Sequence, residues 1–111
     1  MPHLEMLRRK ADFDAIGRRG TARSSRLLVL RSLRTEGSTT RIGLSTPRSL
    51  GGAVQRNRVR RRLRDLVRHQ LDATDVGWDL LLIARPEASA ASHAELREEL
   101  RSLLERSGIG G

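Results

Sequence analysis

The stretch that most constrains this chain is Gly51-Gly52-Ala53-Val54-Gln55-Arg56-Asn57-Arg58-Val59-Arg60-Arg61-Arg62-Leu63-Arg64, continuing through Arg68 to Leu71. Val59, Leu63, Leu66, Val67 and Leu71 recur at the spacing that makes one apolar stripe on an α-helix turning about 100° per residue. Arg61, Arg64 and Arg68 then lie roughly opposite that stripe, and Arg60 and Arg62 flank it. The pattern predicts a helix from Val54 to about Leu71, buried on one side and covered in guanidinium groups on the other. Between residues 56 and 68 there are seven arginines and one aspartate, placing like charges at i,i+3 and i,i+4, which disfavours the helix in isolation. Something anionic should relieve that repulsion. Gly51-Gly52 lets the backbone approach a partner closely, and the amides of the helix N-terminus add a second anion-binding element. Arg56 and Arg58 sit beside that end, with Asn57 able to donate and accept hydrogen bonds.

The rest of the composition narrows the partner. The chain has 111 residues, with Lys+Arg 22 against Asp+Glu 13 and a formal net charge of +9, and Lys10 is its sole lysine. That length suits a single domain over residues 1–111. Arginine's planar fork holds phosphates bidentately and stacks on bases, so the balance points to nucleic acid. Residues 1–71 hold 18 cations and 5 anions, net +13, whereas residues 72–111 hold 4 cations and 8 anions, net −4, so the surface should be two-faced. Phe13 and Trp78 are the only aromatics, which leaves an aliphatic core and argues against base-stacking modules. With no cysteine, disulfides, thiol catalysis and Cys-based metal sites are excluded. No apolar run resembles a signal peptide or membrane span, so a soluble, cytoplasmic protein is expected.

A helix is expected around Asp12 to Arg19, with Phe13 and Ile16 at helical spacing and Gly20 ending it. Leu27 to Arg34 reads as a strand, Thr35-Glu36-Gly37-Ser38 as a turn, and Thr40 to Ser45 as a strand able to pair antiparallel with the first. A shorter strand is expected near Thr21 to Ser24. After an acidic loop, Asp72 to Gly77, the apolar run Trp78 to Ala84 suits a strand covered on both faces, as in a parallel crossover. Ser92 and Glu95 have the form of a capping box before Leu96, Leu100, Leu103 and Leu104, with Gly108 beyond the end. The fold class expected is α+β, an α/β sandwich: three helices on a mainly antiparallel sheet of about four strands, in the order α-β-β-β-α-β-α.

The segment RIGLSTPRSLGGAVQRNRVRRRLR resembles the signature of the bacterial ribonuclease P protein component. Arg9 to Gly20, LLVLRSL and LLLIARP extend the resemblance over nearly the whole chain. The resemblance implies a left-handed parallel crossover through the basic helix. It also implies a protein subunit of ribonuclease P, which binds a catalytic RNA and the 5′ leader of precursor tRNA and assists magnesium-dependent endonucleolytic removal of that leader. Catalysis would belong to the RNA, which would also hold most of the Mg2+, with no catalytic or metal-ligating side chain from the protein, no membrane and no obligatory protein partner. The RNA-facing positions it implies are Arg56, Asn57, Arg58, Arg60, Arg61 and Arg64 on the helix and Arg48 in the preceding loop, and the helical geometry adds Arg68. Its leader-binding cleft maps onto Phe13, Arg41 and Arg9. The chain departs from the family pattern at Gly17, Leu28 and Arg31, where aromatics are common, so Arg31 and Arg41 are expected to contribute electrostatically. Gly52 and Ser49 also depart, replacing an asparagine and a loop cation.

Other chemistries fit less well. His3, His69 and His93 lack metal-ligand spacing, and His69 reads as an ordinary, partly exposed helical histidine. Asp72, Asp75 and Asp79 could be imagined around magnesium, but Asp72 and Asp75 suit a solvated loop and Asp79 can face solvent or pair with an arginine. Trp78 reads as packing. A small basic ribosomal structural protein is the alternative function. A helix-turn-helix DNA reader is disfavoured because so many arginines suit phosphates better than base edges.

Overall fold

The computed structural model describes residues 3–71 and 77–109. Its elements in chain order are β1 (His3–Met6), α1 (Lys10–Arg19), β2 (Thr21–Ser24), β3 (Leu28–Arg34), β4 (Thr39–Ser45), α2 (Ala53–Leu71), β5 (Trp78–Ala84) and α3 (His93–Arg106). Short 3₁₀ turns, Arg48–Leu50 and Pro86–Ala90, precede α2 and α3. The ends of α2, β2 and β5 follow the sequence pattern to within a residue. The capping box of α3 is present in both directions: the Ser92 hydroxyl accepts from the Glu95 amide and the Glu95 carboxylate from the Ser92 amide. Gly108, with φ 74, lets the chain turn back so that the Ile109 amide reaches the Leu104 carbonyl at 2.9 Å. Gly20 ends α1 in an extended conformation, φ −79, rather than the left-handed one expected of a terminating glycine. The expected acidic loop lies outside the described residues, apart from Gly77.

Three expectations are corrected by the sheet. It has five strands, ordered β1-β4-β5-β3-β2, and the chain order is β-α-β-β-β-α-β-α. The added strand, His3–Met6, alternates Leu4 and Met6 with His3 and Glu5 over only four residues, too short a run to stand out. The sheet is mixed: β1 and β5 both run parallel to β4, while β3 is antiparallel to β5 and β2 to β3. Finally, β3 and β4 do not pair, because β5 lies between them. Turn chemistry between two strands suggests a hairpin, but the most apolar strand gains more by taking the centre, where both of its edges are hydrogen-bonded.

Register assigns the faces. Leu28 and Leu30 of β3, Ile42 of β4, and Leu80, Leu82 and Ala84 of β5 point to one side and are 0–1% exposed. There they join Val59, Leu63, Leu66, Val67 and Leu71 of α2 and Leu96, Leu100, Leu103 and Leu104 of α3 in one aliphatic core. On the opposite face lie Val29, Arg31, Arg41, Gly43, Asp79, Leu81 and Ile83, partly covered by α1. The parallel crossover from β4 to β5 therefore lays α2 on the core face, with its arginines turned outward.

Candidate nucleic-acid interface

Two constructions carry the arginines expected to bind RNA. The first is α2 with its lead-in. Leu50, 4% exposed, anchors the 3₁₀ turn in the core while Arg48 and Ser49 stay in solvent. Gly51 follows with φ 134, a conformation that L side chains rarely adopt. Gln55 folds back over the glycine pair, its side chain 3.4 Å from where a Cβ on Gly51 would sit and 3.2 Å from one on Gly52. This amide partly roofs the backbone that the glycine pair was expected to open to a ligand.

Along α2, Asn57, Arg58, Arg61 and Arg68 are exposed, and Arg56, Arg60 and Arg64 are half-buried at the flank. Arg60 is oriented by the buried Thr46, whose Oγ1 accepts from Nη2 at 2.5 Å. Arg62 has a structural task, donating to the Ala91 carbonyl at 3.2 Å and so tying α2 to the approach to α3. Among the described residues, none of Arg48, Arg56, Arg58, Arg60, Arg61, Arg64 and Arg68 is ion-paired. Asp65, the one acid on α2, has its carboxylate 3.7 Å from His69 Nδ1, which lies 2.9 Å from the Asp65 carbonyl oxygen, and His69 is exposed, as expected of an ordinary helical histidine. Val54, 78% exposed, lies on the same side as Arg58 and Arg61.

Two hollows run along this flank. One, of about 400 Å³, is lined by Asn57, Arg60, Arg61 and Arg64. The other, of about 430 Å³, lies between α2 and the β1 edge, where Arg60, Arg64 and Arg68 meet Arg8 beside Met6, Leu7 and Leu44. Sequence reasoning missed Arg8. Its one signal was the cation run Arg8-Arg9-Lys10, and only β1 shows which way that run faces.

The second construction is the cleft on the other face of the sheet. The Phe13 ring lies directly on Gly43: a Cβ there would come within 2.2 Å of Phe13 Cε1. Arg41 extends beside it, its Nε and Nη2 bonded to the two Asp79 oxygens at 2.8 and 2.6 Å, with Asp12 of α1 at 3.5 Å from Nη1. Hydrogen bonding to Asp79 raises the Arg41 pKa further, against the opposing effect of burial. Asp79 is thus the arginine partner anticipated as one of its roles, and the fork of Arg41 is already occupied by carboxylates. Arg31 donates to the Gly17 carbonyl at 3.3 Å, and a side chain at Gly17 would meet nothing within 4 Å. The space an aromatic would fill on α1 is open, with a guanidinium at its rim. Arg9 is exposed at the start of α1 and lines a hollow of about 400 Å³ together with Arg8, Asp12 and Arg41.

The donor set does not suit a magnesium cage. No cluster of three His, Cys, Asp or Glu exists among the described residues, and the carboxylates of Asp12 and Asp79 face Arg41. No helix among them is long and apolar enough to cross a membrane.

Comparison with known proteins gives a consistent answer. The family model for ribonuclease P matches residues 1–108. The ribonuclease P protein component of Acidothermus cellulolyticus is 40% identical over 108 residues, covering 96% of this chain and 90% of the relative. That of Desulforapulum autotrophicum is 33% identical over 105 residues, covering 95% and 90%. Among solved structures, the RNase P protein of Thermotoga maritima superimposes with a TM-score of 0.82 at 27% identity, covering 92% of this chain and 96% of that one. The Staphylococcus aureus RNase P protein shares the fold with a TM-score of 0.87, covering 96% and 97%. These relatives lend no support to the ribosomal reading.

Proposed function

The chain belongs to the ribonuclease P protein family and is the protein component of the ribonucleoprotein endonuclease that matures tRNA 5′ ends; from that premise we propose how its residues divide the work. The outward side of α2, with Arg56, Asn57, Arg58, Arg60, Arg61, Arg64 and Arg68, joined by Arg48, binds the phosphates of the ribonuclease P RNA. The cleft of Arg9, Phe13, Arg31 and Arg41 holds the single-stranded leader of precursor tRNA. The protein supplies no nucleophile. Its arginines neutralise phosphates where RNA strands crowd together, lowering their repulsion and the magnesium they demand, while the RNA holds the Mg2+ ions.

The observation that carries this reading is the row of arginines on α2 without a carboxylate partner among the described residues. A helix loaded with repelling cations is poorly explained by stability alone. Arg31 and the open space at Gly17 favour an electrostatic hold on the leader over a stack of several aromatics.

The test adds purified protein to a bacterial ribonuclease P RNA and precursor tRNA at low magnesium. Cleavage should outpace that by the RNA alone, and Arg56→Ala/Arg58→Ala/Arg61→Ala should remove most of the gain. An unchanged rate for the triple variant sinks the assignment of α2. An Arg31→Ala variant that keeps the wild-type preference for a long leader over a minimal one sinks that of the cleft.

A further inference from the structure

We propose that a notch at the β2 edge of the sheet is a second RNA-phosphate site, separate from α2 and from the cleft. Three elements bring arginines to it: Arg19 from the last turn of α1, Arg23 from β2 and Arg34 from the end of β3. Trp78 and Ser107 share its wall with Thr21, Ser32 and Leu33, and its volume is about 260 Å³. No carboxylate lines it. Arg19 and Arg23 are exposed, and their side chains make no hydrogen bond or ion pair among the described residues. Arg34 is held by one nitrogen only: Nη1 donates to the Thr35 and Gly77 carbonyls at 2.5 and 3.1 Å, and the guanidinium lies 5.8 Å from the centre of the Trp78 ring. Its other two nitrogens remain free to donate.

A second, independent observation points the same way. Among the described residues, three buried side-chain polar atoms lack a partner: Trp78 Nε1, Ser107 Oγ and Arg56 Nε. Two belong to residues of this notch. Buried polar groups are rarely left unmatched, and here the unmatched groups are an indole N–H and a hydroxyl beside three guanidinium groups. Both atoms are closed off from solvent, so the guanidinium groups at the mouth of the notch are what meet a ligand, and an acceptor with negative charge, as a phosphodiester is, suits them. The C-terminal end of α3 next to the notch would by itself repel an anion, but three carbonyls of its last turn are occupied. Leu103, Leu104 and Glu105 accept from Ser107, Ile109 and Gly108.

Topology makes the site independent. The sheet order puts β1 and β2 at opposite edges, and the hollow flanked by Arg60, Arg64 and Arg68 lies on the β1 side. An RNA segment lying along α2 therefore leaves the notch to another segment. That segment can come from the ribonuclease P RNA or from precursor tRNA.

Trp78 is the sole tryptophan, so its emission reports on the notch directly. The protein is titrated with ribonuclease P RNA alone, with precursor tRNA alone, and with inorganic phosphate at matched ionic strength. Trp78 emission should change with at least one RNA, and whichever RNA produces the change is the source of the phosphate. In Arg19→Ala/Arg23→Ala that response should be lost, and the slope of log affinity against log salt for the same RNA should flatten by about 1.4 to 1.8, the share of two phosphates. An equal loss of charge outside the notch, Arg85→Ala/Arg97→Ala, should leave the emission response intact. The proposal is overturned if the Arg19/Arg23 variant keeps both the wild-type slope and the wild-type response with both RNAs. It is equally overturned if neither RNA changes the Trp78 emission of the wild-type protein. Stimulation of leader cleavage by the wild-type protein in the same preparation separates failure of the notch from failure of the assigned function.

Discussion

The salt dependence of RNA binding should separate arginines that the fold leaves free from one that it has already neutralised. Arg56, Arg58, Arg60, Arg61, Arg64 and Arg68 have no ion-pair partner among the described residues, so each can displace a counterion from RNA. If all six do so, the slope of log affinity against log salt is about −4 for single-stranded and about −5 for duplex contacts. A fourfold rise in salt then weakens binding by about 300-fold to 2,000-fold. Arg56→Ala/Arg58→Ala/Arg61→Ala halves the slope, and the same rise costs only about 20-fold to 40-fold. The triple change also removes the like-charge pairs 56/60, 58/61, 58/62 and 61/64, so the free protein should gain about 1 kcal/mol of stability while losing RNA. Arg41→Ala should leave the slope where it is, because that guanidinium is already held between Asp79 and Asp12. Fluorescence anisotropy from 50 to 200 mM salt, both values chosen to span about a fourfold range, is sufficient, with labelled ribonuclease P RNA for the α2 variants and a labelled leader oligonucleotide for Arg41→Ala. The reasoning fails if Arg41→Ala flattens the slope as much as Arg61→Ala does, or if the triple variant keeps the wild-type slope.

Asp79→Asn should have two effects of opposite sign: a loss of about 1–2 kcal/mol in chemical denaturation and a steeper salt slope as Arg41 is freed. The stability loss stays below that of a fully buried pair because the Arg41 side chain is 36% exposed. Gly43→Ala should cost about 1–3 kcal/mol, since the new methyl and the Phe13 ring compete for one space, and should weaken binding of a leader oligonucleotide more than binding of ribonuclease P RNA. Ser92→Ala should cost about 1 kcal/mol through the lost cap of α3. Glu95, bonded to the Ser92 amide and hydroxyl, titrates below its ordinary 4.5, so its contribution is complete above that pH and lost as the pH falls through the lowered folded value. The difference in melting temperature between wild type and Glu95→Ala should therefore shrink in acid.

The legible parts of this fold were those whose signal is local. The stripe of α2 and the Ser92–Glu95 box each specify an element within a few residues, and the structure reproduces both. Pairing was not legible, because it depends on which strand gains most from the centre of the sheet. The turn at residues 35–38 favoured a hairpin between β3 and β4, yet the all-but-unbroken apolar run of β5 separates them. The same limit governs charge. Arg41 and Arg61 look alike in sequence, but the register Arg41↔Asp79 neutralises one, while the outward side of α2 leaves the other free.

The strand that the sequence concealed also changes how the two proposed RNA surfaces relate. The arginines of α2 project from the core side of the sheet, and the cleft opens on the opposite side, so a flat sheet would keep them apart. At the β1 edge they meet. Arg8, just beyond β1, lines the hollow shared with Arg60, Arg64 and Arg68, and it lines as well the hollow shared with Arg9, Asp12 and Arg41. A four-residue strand is short enough for an RNA chain to round, and its parallel pairing with β4 fixes where Arg8 stands. Phosphate contacts can therefore continue from one face to the other around β1, with Arg8 as the joining cation. The notch beside β2, at the far edge, has no such link to α2, which is why it calls for a separate stretch of RNA.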